Sequence, residues 1–107
     1  MSNSPHKDDR AKKVLHQLAS DYIKTQSNNQ SMITITSVSI MHDFGKVVFF
    51  ISVFPTNKER AALDFLKRQR SEFRDHVKSN SRLPKIPRFD FEIDLGEKAR
   101  QRIEEIL

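Results

Sequence analysis

Near the start of the chain, apolar residues recur at spacings of three and four: Ala11, Val14, Leu15, Leu18, Ala19, Tyr22 and Ile23. This period predicts an amphipathic helix, with Asp8 or Asp9 placed to cap its N-terminus. Thr25 to Ser31 holds no apolar residue and two asparagines, which ends the helix and makes a loop. From Met32 to His42 the period becomes two, the mark of a strand. Its parity shifts from Ile33 and Ile35 to Val38 and Ile40, so a β-bulge near Thr36 and Ser37 would keep both halves on one core. Asp43-Phe44-Gly45-Lys46 reads as a tight turn. Val47 to Phe54 reads as a second strand, apolar at both parities and therefore covered at least in part on both faces.

After Pro55 and Thr56, Asn57 is placed to cap a second helix whose buried stripe is Ala62, Phe65, Leu66, Phe73 and Val77. That helix is expected to fail at Ser79-Asn80-Ser81, where short polar side chains compete for backbone hydrogen bonds. Pro84 and Pro87 follow, and then Phe89, Phe91 and Ile93 alternate with Asp90, Glu92 and Asp94, a third strand with one buried face. Gly96 precedes a last short helix with Ala99, Ile103, Ile106 and Leu107 along its apolar side. The order is helix, strand, strand, helix, break, helix, strand, helix, an α+β fold with helices on one face of a three-stranded sheet.

At 107 residues the chain suits a single domain over residues 8–107, preceded by a flexible polar tail over 1–7. The absence of cysteine excludes disulfide frameworks, thiolate zinc sites and cysteine nucleophiles. Only Gly45 and Gly96 are glycine, which removes every phosphate loop built on repeated glycine and leaves no nucleotide cofactor expected. No apolar run approaches the ~20 residues of a membrane span, and the start lacks the apolar core of a signal peptide, so a cytoplasmic location with no membrane partner is expected.

Charge is distributed unevenly. The net +5 is concentrated between Arg60 and Arg88, where nine basic residues face only Asp64, Glu72 and Asp75, while the remainder of the chain is close to neutral. Such a block reads either as an electrostatic footprint for a polyanion or as a solvated helix face that keeps the protein soluble. Arg70, Arg74 and Lys78 are spaced by four, with Lys67 one turn earlier, so on one continuous helix they would form a ladder of about 6 Å per step. Arg82, Lys85 and Arg88 flank the prolines, which stiffen the segment that presents them. Of Lys67 and Arg68, one is expected to face the polyanion and the other to pair with Asp64.

The eight phenylalanines raise the question of base stacking. Phe49, Phe65, Phe73, Phe89 and Phe91 fall on apolar stripes and are expected in the core, leaving Phe44 in the turn as the exception. His42 beside Asp43, and His76 beside Asp75, could suggest acid–base chemistry. Neither pair has a nucleophile or an oxyanion loop with it, and no two histidines have a helical ligand spacing, so neither catalysis nor a metal is expected.

The element order is that of the type II KH domain. The hairpin from Ile33 through His42-Asp43-Phe44-Gly45 to Ser52, together with Arg82-Leu83 through Pro87 leading into Phe89, Phe91 and Asp94, resembles ribosome-binding factor A over nearly all of residues 8–107. This resemblance implies a small factor that binds 16S rRNA within the free 30S subunit, assists late rRNA processing and subunit maturation, is associated with growth in the cold and catalyses no covalent step. A monomer is expected. The family has Ala-x-Gly at a helical kink where other KH domains have Gly-x-x-Gly, and this chain has neither. Counting back from the proline motif puts those positions on His76, Val77 and Lys78, so the kink is expected to be softened there or displaced to Ser79-Asn80-Ser81.

Binding led by side-chain charge follows, with Lys67, Arg70, Arg74, Lys78, Ser79, Asn80, Arg82, Lys85 and Arg88 as the RNA-contacting set. Neutralising about five phosphates on single-stranded RNA would give a log–log salt slope near −3.5. Two alternatives remain open from sequence: a general single-stranded RNA- or DNA-binding KH-type protein with no ribosomal role, and a small ribonuclease acting through His42 or His76.

Overall fold

The computed structural model describes residues 5–26 and 30–106. Helix α1 (Pro5–Gln26) precedes strands β1 (Met32–Met41) and β2 (Lys46–Phe54); a 3-10 turn over Thr56–Lys58 leads to α2 (Glu59–Arg68), α3 (Arg70–Asn80), β3 (Arg88–Ile93) and α4 (Leu95–Ile106). The sheet order is β1-β2-β3, with β1 antiparallel and β3 parallel to the central β2. The α+β order anticipated from the sequence is the one observed.

The bulge lies where the parity shift requires it. Ile35 pairs with Ile51 and Ser37 with Phe50, which leaves Thr36 extra. Its hydroxyl sits 2.5 Å from Asp94 Oδ2 and 3.1 Å from the Phe50 carbonyl, so the unpaired residue is tied to the end of β3. The odd face of β2 (Val47, Phe49, Ile51, Val53) is buried against Leu15, Ala19, Tyr22 and Ile23 of α1, Ala62 and Leu66 of α2, Phe73 and Val77 of α3, and Phe89 and Phe91 of β3. Phe73 is the hub, with ring centroids 5.4 Å from Tyr22 and Phe49, 4.9 Å from Phe89 and 5.9 Å from Phe91. On the other parity of β2, Val48 is buried and Phe50 and Ser52 are half-buried, as its two-sided apolar pattern predicts.

Several boundaries differ from the sequence reading. α1 begins at Pro5, one turn before the expected Asp8–Asp9 cap, and continues through Thr25 and Gln26, where Thr25 Oγ1 donates to the Tyr22 carbonyl at 2.7 Å. Residues 1–4 of the expected tail, 27–29 of the loop, and Leu107 lie outside the described residues. Asn57 falls within the 3-10 turn, and α2 starts after Lys58 without a side-chain cap. α4 starts at Leu95, with Gly96 inside it; its cap is Asp94, whose Oδ1 accepts from the Glu97 amide at 3.0 Å. The apolar side of α4 is not covered, and Ala99, Ile103 and Ile106 are exposed.

The largest difference is the position of the helix break. It falls at Gln69, seven residues before the expected His76-Val77-Lys78, and Ser79 and Asn80 form the last turn of α3. Gln69 has φ −89° and ψ 3°, in the bridge region, where φ is negative, so the kink needs no glycine. Its backbone stays bonded on both sides: the Gln69 amide donates to the Phe65 and Leu66 carbonyls, and its carbonyl accepts from Phe73 at 2.8 Å. Side chains fix the bend. From α1, Tyr22 Oη lies 2.9 Å from Gln69 Oε1 and 3.2 Å from Glu72 Oε2. From β3, Asp90 Oδ1 accepts from Lys67 Nζ at 2.8 Å, before the break, and from Arg70 Nη1 at 3.3 Å, after it.

Candidate nucleic-acid interface

Because β3 runs parallel to β2, its first residue is brought beside the hairpin turn. Arg88 pairs in register with Lys46, and the Arg88 amide donates to the Gly45 carbonyl at 3.0 Å. The turn that places Lys46 is unusual: His42, Asp43 and Phe44 all have positive φ (56°, 51° and 71°), and the Gly45 amide closes it on the His42 carbonyl at 2.8 Å. Phe44 is half-buried against the core, so this expected exception among the phenylalanines packs instead of projecting.

Arg88, Lys46 and Asp90 lie on the sheet parity opposite Phe89 and Phe91. β3 is an edge strand, and α3 runs beside it. Between them opens a cleft of about 350 Å³ lined by Lys46, Arg70, Ser71, Arg74, Arg88, Phe89 and Asp90. Four cations therefore face one carboxylate. Burial alone would push the Asp90 carboxyl up, but the Lys67 hydrogen bond, the Phe91 amide and the charges of Lys67 and Arg70 outweigh it and hold the group below the usual value of 3.8. Arg74 Nη2 donates to the Ile86 carbonyl at 3.2 Å, anchoring the guanidinium and the proline segment to one another. Phe89 is buried, so the cleft offers no open aromatic face. Its chemistry is that of an anion site.

Of the residues singled out by sequence, Arg70, Arg74 and Arg88 meet in this cleft. Lys67 stands behind it on Asp90. Lys78, Ser79, Arg82 and Lys85 are exposed but do not line it. Asn80 is committed to its own helix, donating to the His76 carbonyl at 2.8 Å. The expected division of Lys67 and Arg68 does not occur, because Asp64 pairs with Arg60 at 3.8 Å and Lys67 with Asp90. The continuous ladder from Lys67 to Lys78 is interrupted by the Gln69 bend. Sequence reasoning does not reach Lys46, Ser71 or Asp90. Lys46 lies outside the basic block, and its signal in the sequence is that of a cation closing a turn; Asp90 reads as an ordinary outward strand position.

The two histidine–acid pairs lie elsewhere. His42 is exposed in the turn, whereas His76 stacks on Phe73 and tilts against Tyr22 (centroids 6.4 and 5.3 Å). Among the described residues, no group of three or more His, Cys, Asp or Glu could hold a metal ion, and no helix is long and apolar enough to cross a membrane.

The family model of ribosome-binding factor A matches residues 7–107. The chain belongs to the ribosome-binding factor A family. The crystal structure of ribosome-binding factor A from Thermus thermophilus superposes with a TM-score of 0.72 at 17% identity, covering 79% of this chain and 92% of that one. A Thermotoga maritima candidate ribosome binding factor A, solved by NMR, gives 0.70 at 18% identity, covering 86% and 91%. A homology model of the Thermus thermophilus factor, fitted into a cryo-EM map of a 30S complex, gives 0.66 at 19%, covering 84% and 93%. At these identities the structural likeness establishes the fold shared with ribosome-binding factor A.

Proposed function

We propose that this protein binds the free 30S subunit, grips 16S rRNA through phosphate contacts, and assists late rRNA processing and subunit maturation without covalent catalysis. The observation that carries the reading is the cleft at the β3 edge, where Lys46, Arg70, Arg74 and Arg88 converge in a chain of the ribosome-binding factor A family. The Thermus thermophilus relative fitted into a 30S map supports the choice of particle. Charge outside the cleft, on Lys78, Arg82 and Lys85, extends the basic surface along α3 and the proline segment. The protein acts as a monomer in the cytoplasm.

Sedimentation with purified small subunits, large subunits and complete ribosomes, at low and moderate salt, tests the reading. Selective co-sedimentation with free small subunits is the expected result. Equal binding to every RNA particle would overturn it in favour of a general single-stranded nucleic-acid binder.

A further inference from the structure

The cleft holds one group that a plain phosphate grip does not call for. Asp90 Oδ1 is saturated, accepting from Lys67 Nζ at 2.8 Å, Arg70 Nη1 at 3.3 Å and the Phe91 amide at 2.8 Å. Oδ2 of the same carboxylate has no hydrogen bond among the described residues, and the side chain is 19% exposed. Three donors hold this carboxylate at the cleft, and it repels an anion brought directly against it. Its open oxygen is instead an acceptor awaiting a donor, set beside cations awaiting an anion.

We infer that the cleft takes a ribose–phosphate unit, with Lys46, Arg74 and Arg88 on the phosphate and Asp90 Oδ2 accepting a hydrogen bond from the adjacent 2′-hydroxyl. This inference deepens the rRNA-binding reading above and rests on it. The lining supports a backbone unit over a base. The buried Phe89 gives no stacking platform, the lining carries cations beside a carboxylate, and an anion with a neighbouring hydroxyl donor is what a ribonucleotide backbone repeats. Asp90 is then the residue that separates RNA from DNA. Arg70 and Lys67 both bond Asp90 Oδ1 and so position that carboxylate, and the one positive charge left over by the trio adds to the field that attracts the phosphate.

The test is binding at low salt to four single-stranded oligonucleotides of one sequence: RNA, DNA, 2′-fluoro RNA and 2′-O-methyl RNA. The 2′-fluoro strand keeps the RNA-like sugar pucker and lacks the hydroxyl proton, so it separates shape from hydrogen bonding. The wild-type protein should bind RNA about tenfold or more tightly than each of the other three, the scale of a hydrogen bond to a charged group. In Asp90→Ala the four affinities should converge, whatever their absolute level, with folding checked by circular dichroism. Equal wild-type affinity for RNA and 2′-fluoro RNA overturns the 2′-hydroxyl contact and leaves the phosphate reading standing. Retention of the RNA preference in folded Asp90→Ala overturns the assignment to Asp90. Binding to none of the four overturns both the contact and the phosphate-binding cleft.

Discussion

Tyr22 Oη, on the first helix, lies 2.9 Å from Gln69 Oε1, the side chain of the residue at which the second helical segment bends. The two are 47 positions apart, and the same hydroxyl faces Glu72 Oε2 at 3.2 Å. Burial, together with the hydrogen bond to Glu72 and its charge, pushes the phenol up to about 12 from 10.0. Tyr22→Phe keeps the ring contact with Phe73 and removes only the hydroxyl; it should cost about 1–2 kcal/mol at neutral pH. A folded-state value above the unfolded one gives stability that is complete below pH 10 and lost as pH rises toward 12. Denaturant unfolding of wild type and variant at about pH 7 and about pH 11 should therefore show the gap shrinking.

Asp90 titrates in the opposite sense. Its carboxyl is held below 3.8, so the stability its contacts supply is present above that value and disappears as pH falls through the lowered one. Asp90→Asn lacks this contribution at every pH. Thermal unfolding from about pH 5 down to about pH 2 should show the wild-type advantage in Tm closing with acidity.

Phe73 is fully buried and touches the rings of Tyr22, Phe49, Phe89 and Phe91. Phe73→Ala should cost about 3–5 kcal/mol by loss of transfer free energy and creation of a cavity. Chemical denaturation checks this, with Ile103→Ala on the exposed side of α4 expected to change stability by less than about 0.5 kcal/mol.

Removing one phosphate contact lowers the log–log salt slope on single-stranded RNA by about 0.7. Lys46→Ala should show that decrement. Arg60→Ala, on an exposed side chain that pairs with Asp64 and lies outside the cleft lining, should leave the slope unchanged. Fluorescence anisotropy over a salt series distinguishes the two.

A Cβ placed on Gly45 would come within 2.9 Å of the His42 carbonyl, closer than backbone atoms tolerate. Gly45→Ala should destabilise by about 1–3 kcal/mol, the range for overpacking, and should weaken RNA binding as well, since Lys46 and the Arg88 amide both depend on this turn. Unfolding and anisotropy on the same variant test both effects.

Which of these features a reader of the sequence can find depends on whether their cause is local. The β-bulge at Thr36 announces itself, because a parity change between Ile35 and Val38 has one structural remedy. The core phenylalanines are legible for the same reason. The bend at Gln69 is not: its φ is ordinary, no glycine or proline marks it, and the groups that hold it come from Tyr22 and Asp90, far away in the chain. A search for residues that weaken a helix is drawn to Ser79-Asn80-Ser81, where the helix merely ends. The cleft is legible by half. Arg70, Arg74 and Arg88 stand out in a basic block, whereas Lys46 joins them only through the parallel register of β2 and β3, which periodicity does not encode.

That register also guards against error. If β3 slipped by one residue on β2, Asp90 would turn toward the core, Phe89 would turn to water, and Arg88 would leave Lys46. The charge constellation and the hydrophobic interior are thus two readings of a single alignment. A copy mispaired at this strand would lose the Lys46–Arg88 pairing and the buried Phe89 together, so the cleft cannot form on a chain whose core is wrongly assembled.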